Sequence, residues 1–376
     1  MHVLLLGPYP PPQGGVQRNL LAIRDELLAA GHECSIINIT RRRAIGKGKN
    51  APGESNVYHP QTPLALLRLL FKLKYDLLHI HIGGEIPLRV LGLLAVCALM
   101  ANGRSVLTLH SGGYPLSRAG RAARRFSLRG MVFRRFAKIV CVNRQQVEMF
   151  ERYGALKENV RLISPFFNRS PNPAITVPER LKNFAAAHSP FLLTVGLLQP
   201  LYRLPLQIEA LGRLREKFPD AGLMIVGAGE SENDLRRLIA SKAYGEHVLL
   251  AGDVEHAVTL HLINDCDVLL RTTEYDGDAI SVREALHLNT PVVATDNGMR
   301  PEEVFLISLD GAGKAESALV KAVEDVLRGE KNVKEKRIDD CANIIAVINL
   351  YREIVGAPKT AAVSNAAATA LAVASA

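Results

Sequence analysis

The chain has 376 residues, of which 48% are apolar and 22% charged, and it carries a net charge of +9. That length exceeds one ordinary core and suits two domains, and the composition excludes an intrinsically disordered chain. The positive balance suits an anionic partner (nucleic acid, a phospholipid surface or a phosphorylated small molecule) without choosing among them.

The first predicted element is a strand over His2–Leu6, which lacks the basic region and cleavage site of a signal peptide. The loop Pro10-Pro-Pro-Gln-Gly14-Gly15-Val-Gln-Arg18 follows it. Leu20, Leu21, Ile23, Leu27 and Leu28 then give a helical stripe within Val16–Ala30, and Gly31 sits where that helix would end. Strands are expected at Ser35–Ile39, Asp76–Ile82, Val106–Leu109 and Lys138–Val142, apolar on both faces as buried parallel strands are. The longest apolar run, Val90–Ala101, is too short to span a bilayer.

The alternation fades between Asn168 and Pro190, where Pro171, Pro173 and Pro178 mark a linker over 171–189. It restarts at Phe191–Val195 and continues through Leu223–Val226, His247–Leu250, Asp267–Leu270, Pro291–Ala294 and Phe305–Leu309. Helical patterns follow at Lys314–Arg328 and Ile344–Ile354, and the alanine-rich 357–376 reads as a disordered tail. Repeated strand-then-helix order predicts an α/β fold with doubly wound sheets in domains 1–170 and 190–330. Ligands of such folds bind at the C-terminal ends of the strands. Cys34, Cys97, Cys141, Cys266 and Cys341 are expected to be reduced, packed thiols, and no Cys/His cluster has metal-ligand spacing.

The most informative segment is Asp276-Gly-Asp-Ala-Ile-Ser-Val-Arg-Glu284, after a strand and into a helix expected from about Ala279. Free backbone N–H groups at such a start favour an anion such as a diphosphate. Glu284 falls about 8 Å further along the axis, near the reach of a diphosphate from a sugar to a ribose. Carboxylates accept hydrogen bonds from vicinal hydroxyls, so one at each end makes chemical sense. The alternative is a pair of solvated surface acids.

This segment and its continuation, Glu284-Ala-Leu-His-Leu-Asn-Thr-Pro-Val-Val-Ala-Thr-Asp296, resemble the retaining GT-B glycosyltransferases of family 4. The family carries an acid, seven residues and a glutamate here. The resemblance implies that Asp276 meets the donor sugar and Glu284 the ribose, with Gly277, Asp278, Ala279 and Ile280 also donor-binding. Aspartate replaces the usual first glutamate, as in some members with an Asp-Gly-Asp turn. Gly14, Gly15 and Arg18 look like the family's Gly-Gly-Val-x-Arg loop beside the donor phosphates; the alternative is a plain tight turn. His110, in Val106-Leu-Thr-Leu-His110, is similar to a family histidine near the reaction centre, where it could donate a hydrogen bond. His79 and His81 share one strand face and are weaker candidates, at least one of them a support for His110. Val226-Gly227-Ala-Gly229 resembles the family's turn near the nucleotide.

One departure stands out. After Gly196 the family often has an arginine and, five residues later, a lysine for the diphosphate; here these positions are Leu197 and Tyr202, with Arg203 one residue late as a substitute. Arg118–Lys138 is rich in arginine, has no acid and is interleaved with apolar residues, which suits an anionic membrane surface; the alternatives are nucleic acid, for which no motif is present, and an ordinary solvated helix face.

The resemblance thus implies two Rossmann-like domains facing across a cleft, the first on the acceptor side, the second binding the nucleotide sugar, with a C-terminal helix in 331–356 packing back on the first. It implies transfer, with retention, from a UDP- or GDP-sugar to a hydroxyl of a glycan or lipid-linked acceptor in polysaccharide or glycolipid biosynthesis. No metal or other cofactor is expected, and the location is cytoplasmic or peripheral on the inner membrane face. A nucleotide-sugar epimerase on the same fold, or a non-catalytic subunit, stays open.

Overall fold

Val3, Leu4, Leu5 and Leu6 are all buried, so β1 (His2–Gly7) is covered on both faces, as strands of a parallel sheet between helices are. The computed structural model describes residues 1–10, 14–40, 56–165, 169–276, 278–298, 300–309, 312–329 and 341–356. Gly277, residues 11–13 of the glycine loop, 331–340 and the tail 357–376 lie outside the described residues.

After β1 come α1 (Gly15–Ala29), β2 (Glu33–Asn38), β3 (Val57–Tyr58), α2 (Pro63–Lys72), β4 (Leu77–Ile82), α3 (Leu88–Met100) and β5 (Ser105–Leu109). Next are α4 (Arg118–Arg121), α5 (Leu128–Phe133), β6 (Lys138–Cys141), α6 (Arg144–Arg152) and β7 (Val160–Leu162). These strands form one parallel sheet in the order β3-β2-β1-β4-β5-β6-β7. The second half runs α7 (Glu179–Ala187), β8 (Phe191–Val195), α8 (Leu204–Arg215), β9 (Gly222–Val226), α9 (Glu232–Ala240), β10 (Val248–Gly252), α10 (His256–Asp265), β11 (Val268–Arg271), α11 (Ile280–His287), β12 (Val292–Thr295), β13 (Phe305–Ile307) and α12 (Ala312–Leu327). Its parallel sheet has the order β10-β9-β8-β11-β12-β13. Both sheets are doubly wound, with the strand order reversing between β1 and β4 and between β8 and β11, where such folds open a ligand crevice.

Local chemistry agrees with this plan. Past α1, Gly31 takes a left-handed φ of 72°, and the N–H groups of Gly31 and His32 bond back to the carbonyls of Leu28 and Leu27. The last helix, α13 (Ala342–Val355), does not join the second sheet. Its Ile344, Val347, Ile348 and Tyr351 bury against Leu20, Ile23 and Leu27 of α1, and each such side chain contributes roughly 1.5–3 kcal/mol.

β3, β7 and α7 are among the elements not anticipated. β3 and β7 are edge strands of two and three residues, too short to show a period. α7 lies inside the stretch read as a linker, and its Leu181 is buried with Phe191 and Leu193 in the second core. The prolines at 171, 173 and 178 precede the helix rather than exclude it. None of the five cysteines is in a disulfide; burial pushes Cys34 and Cys97 up to about 12 and also raises Cys141 and Cys266. Among the described residues, no helix is long and apolar enough to cross a membrane.

Candidate functional site

The switch points carry the motifs. β1 leads into Gly14–Gly15, β5 ends beside His110, β8 runs into Gly196, and β11 runs into Asp276. α1 and α11 both begin without a side-chain cap hydrogen bond and without an acid in the first turn, so neither first turn carries a charge that offsets the positive end of the helix dipole.

These ends meet across the cleft. A Cβ on Gly15 would stand 3.6 Å from Ile280 Cδ1, in van der Waals contact with the first residue of α11. A Cβ on Gly113 would fall 2.6 Å from the ring of Tyr275, so this glycine is what lets the loop after His110 close on the segment leading to Asp276. Burial lowers the pKa of Arg18, while Glu284 and Asp25 pull the other way; Arg18 is thus within electrostatic reach of the carboxylate on the opposite side.

Glu284 is buried and its Oε1 lies 2.5 Å from His256 Nε2, at the start of α10. Asp278 pairs with Arg283 at 3.0 Å. Ala279 and Ile280 are buried at the helix start. Asp276 is not a solvated turn acid. Its Oδ1 accepts from Arg271 Nη2 at 2.7 Å, and its Oδ2 accepts from Arg271 Nε (3.0 Å), Thr273 Oγ1 (2.6 Å) and Arg300 Nη1 (2.8 Å). Burial alone would raise its pKa, but Arg271, Arg300 and Thr273 outweigh it and hold the carboxyl well below the usual range. Two guanidiniums on one carboxylate leave the cluster with an excess of one positive charge.

Arg271 also takes the place around Gly196. Its Nη1 donates to Val195 O at 2.8 Å, and its guanidinium lies 4.8 Å from the Tyr202 ring centroid. A Cβ on Gly196 would strike that ring at 2.2 Å. So Tyr202 roofs an arginine that arrives from β11, not from the loop after β8. Arg203 does not join the cluster: its Nε pairs with Glu274 at 2.7 Å, both half exposed. Gly227 and Gly229 pack backbone to backbone against Gly196 and Leu198, where a Cβ would come within 1.8 and 2.4 Å of a carbonyl oxygen.

His110 lies at the end of β5, and its Nε2 is 3.1 Å from His81 Nδ1. His79 sits between Tyr351 Oη (2.5 Å) and Thr108 Oγ1 (2.7 Å), with its ring 4.0 Å from that of His81. Burial pushes His79 and His110 down to about 3 and His81 well below its ordinary value, so all three are neutral at neutral pH. The sign of the resulting pH dependence follows from linkage: an unfolded chain takes up protons here that the native one does not, so stability is lost as pH falls through the ordinary histidine range. The urea midpoint should drop steeply from about pH 6.5 to about pH 4.5 and change less in His79→Gln. A flat wild-type profile over that range contradicts the assignment.

Arg271, Arg300, Thr273, His256 and Tyr275 were missed from sequence. An arginine closing a buried strand, at Arg271, was the one available signal. Arg118–Lys138 is two short helices, not one face: Gly120 and Gly130 are packed so tightly that a Cβ would fall within 2.2 and 2.6 Å of backbone oxygens. Val132, Phe133 and Phe136 are core, while Phe126 is 86% exposed and Leu128 and Met131 are also exposed among Arg118, Arg121, Arg124, Arg125 and Arg135.

With this geometry in hand, comparisons are informative. The profile of Glycosyltransferase Family 4 matches residues 13–170, and that of Glycosyl transferases group 1 matches residues 178–340. A GDP-mannose-dependent alpha-(1-6)-phosphatidylinositol monomannoside mannosyltransferase of Mycolicibacterium smegmatis is 25% identical over 86% of this chain and 88% of its own length. A phosphatidyl-myo-inositol mannosyltransferase of the same organism is 24% identical over 98% and 97%. Among solved structures, Anabaena HepE in complex with UDP-glucose aligns at a TM-score of 0.62 and 16% identity, over 95% of this chain and all (100%) of that one. The sucrose-phosphate synthase of Thermosynechococcus elongatus aligns at 0.66 and 16%, over 95% and 100%. The structural likenesses establish the fold.

Proposed function

Because the chain belongs to the GT-B glycosyltransferases of family 4, we propose that it transfers a sugar from a UDP- or GDP-sugar to a hydroxyl of a glycan or lipid-linked acceptor, with retention of anomeric configuration. The observation that carries this reading is the meeting of two uncapped helix starts across the cleft, Gly15 against Ile280, with Arg18 within electrostatic reach of Glu284.

In this reading the diphosphate lies between Gly14–Gly15 and the start of α11. Glu284 accepts from the ribose hydroxyls, and His256 fixes its rotamer. Asp276 Oδ1 accepts one bond from Arg271 and keeps a lone pair for a sugar hydroxyl. The bond from the anomeric carbon to the diphosphate oxygen breaks as the acceptor oxygen bonds the same face, and the acceptor's proton passes to the leaving diphosphate. Negative charge grows on that diphosphate, and the excess positive charge of the Arg271–Asp276–Arg300 cluster, with Arg18, answers the absence of cations at Leu197 and Tyr202. Protein groups supply position and field, and the reading requires no metal.

The test is a panel of UDP- and GDP-sugars, followed for nucleoside diphosphate release with and without glycan acceptors, with product configuration read by NMR. Release with one donor and a retained anomer is expected. An inverted product overturns retention, and an epimerised free sugar made without acceptor favours the epimerase.

A lipid-linked acceptor fits the exposed face around Phe126, since arginines beside an apolar tip attract and then enter an anionic surface. Sedimentation with phosphatidylglycerol vesicles should fall as salt rises, and Phe126→Asp should weaken it about ten-fold. Binding that ignores both salt and Phe126 contradicts this location.

A further inference from the structure

The three histidines beneath the cleft do more than fill space. His81 is fully buried, one of its ring nitrogens meets His110, and its Nε2 has no hydrogen-bond partner among the described residues. That orphan constrains where protons sit. All three rings are neutral, so each carries one ring proton. If His110 donated from Nε2, then His81 Nδ1 would accept, and its proton would sit on Nε2 as a buried N–H with no partner. If His81 donates from Nδ1, only a lone pair is orphaned. Orphaned buried donors are the rarer outcome in protein interiors.

We infer that His81 is a positioning residue that donates from Nδ1 to His110 Nε2 and thereby locks His110 as the tautomer protonated on Nδ1. The other edge of the His110 ring then presents an N–H, a donor and not an acceptor, and His110 retains partial exposure at the strand end. His79 packs against the donor in turn: it is clamped between Tyr351 and Thr108, and its ring lies 4.0 Å from that of His81, tilted by 40°. The C-terminal helix α13 therefore reaches, through Tyr351, a group that sets the hydrogen-bonding character of the cleft floor. The functional half of this inference rests on the proposed donor site; the tautomer itself does not.

The experiment is a long-range proton–nitrogen correlation spectrum of the full chain labelled with nitrogen-15 histidine, with His110 assigned through His110→Asn. The expected wild-type result is a proton on Nδ1 of His110 and a lone pair on Nε2. His81→Asn, whose amide can donate from nearly the same place, should keep that pattern. His81→Leu should give a mixture of tautomers and lower kcat about ten-fold while KM changes less than about two-fold, because a donor is lost from the reacting complex and not from ground-state binding. A wild-type proton on Nε2 overturns the inference outright, whatever the variants do. Unchanged kcat in His81→Leu, with turnover lost in His110→Ala, overturns only this inference, whereas no effect of either variant counts against the donor site as well.

Discussion

Asp276→Ala is expected to destabilise the second domain by about 3–5 kcal/mol, the usual consequence of removing one partner from a buried ionic cluster. Arg271 and Arg300 are both buried, and each gives a guanidinium hydrogen bond to this carboxylate. Burial already lowers the pKa of Arg300, as does repulsion from Arg271, and Asp276 is what opposes them. Without it two unpaired cations face each other out of water. The loop would loosen too, since Thr273 and, through Arg300, Thr295 are tied to the same carboxylate. Asp276→Asn keeps the shape but not the charge and should lose less. Urea denaturation of the three proteins checks this, and a loss under about 1 kcal/mol for the alanine variant would show that the cluster relaxes into solvent.

Glu284→Ala should weaken nucleotide binding by about 1.5–3 kcal/mol, from ten-fold to about a hundred-fold in Kd, because a hydrogen bond to a charged group is lost. The fold should suffer less than from Asp276→Ala. Glu284 pairs with His256 at the start of α10, whereas Asp276 holds two buried guanidinium groups. His256→Ala makes the complementary test: it leaves the carboxylate but frees its rotamer, so affinity should fall by less than in Glu284→Ala. Unchanged nucleotide affinity in a folded Glu284→Ala protein would remove this residue from the donor site.

Much of the fold was legible because it rests on local patterns. β1 is apolar on both faces, β4 and β8 are apolar at most positions, and Gly31 stops α1, features legible in the residues alone. What the pattern hid was short or obscured: β3 and β7 are shorter than one detectable period, and α7 lies behind three prolines. At the candidate site, the expected helix start near Ala279 matches α11, but the partners of Asp276 and Glu284 were not readable. Arg300 is 24 positions from Asp276, His256 is 28 from Glu284, and Tyr351 is 272 from His79. Such pairs exist only once strands of different order lie side by side. For the same reason the positions Leu197 and Tyr202 give no sign of Arg271, which reaches Gly196 from the neighbouring strand.

The central claim is one of place: an anionic nucleotide is held between the starts of α1 and α11. Hydrogen exchange of the full chain, with and without saturating UDP and GDP, tests it most directly. One nucleotide should slow exchange over 278–284 and 14–18, leaving the amides of β10 and β13 unchanged. Slowed exchange confined to other surfaces, or none with either nucleotide, would contradict it.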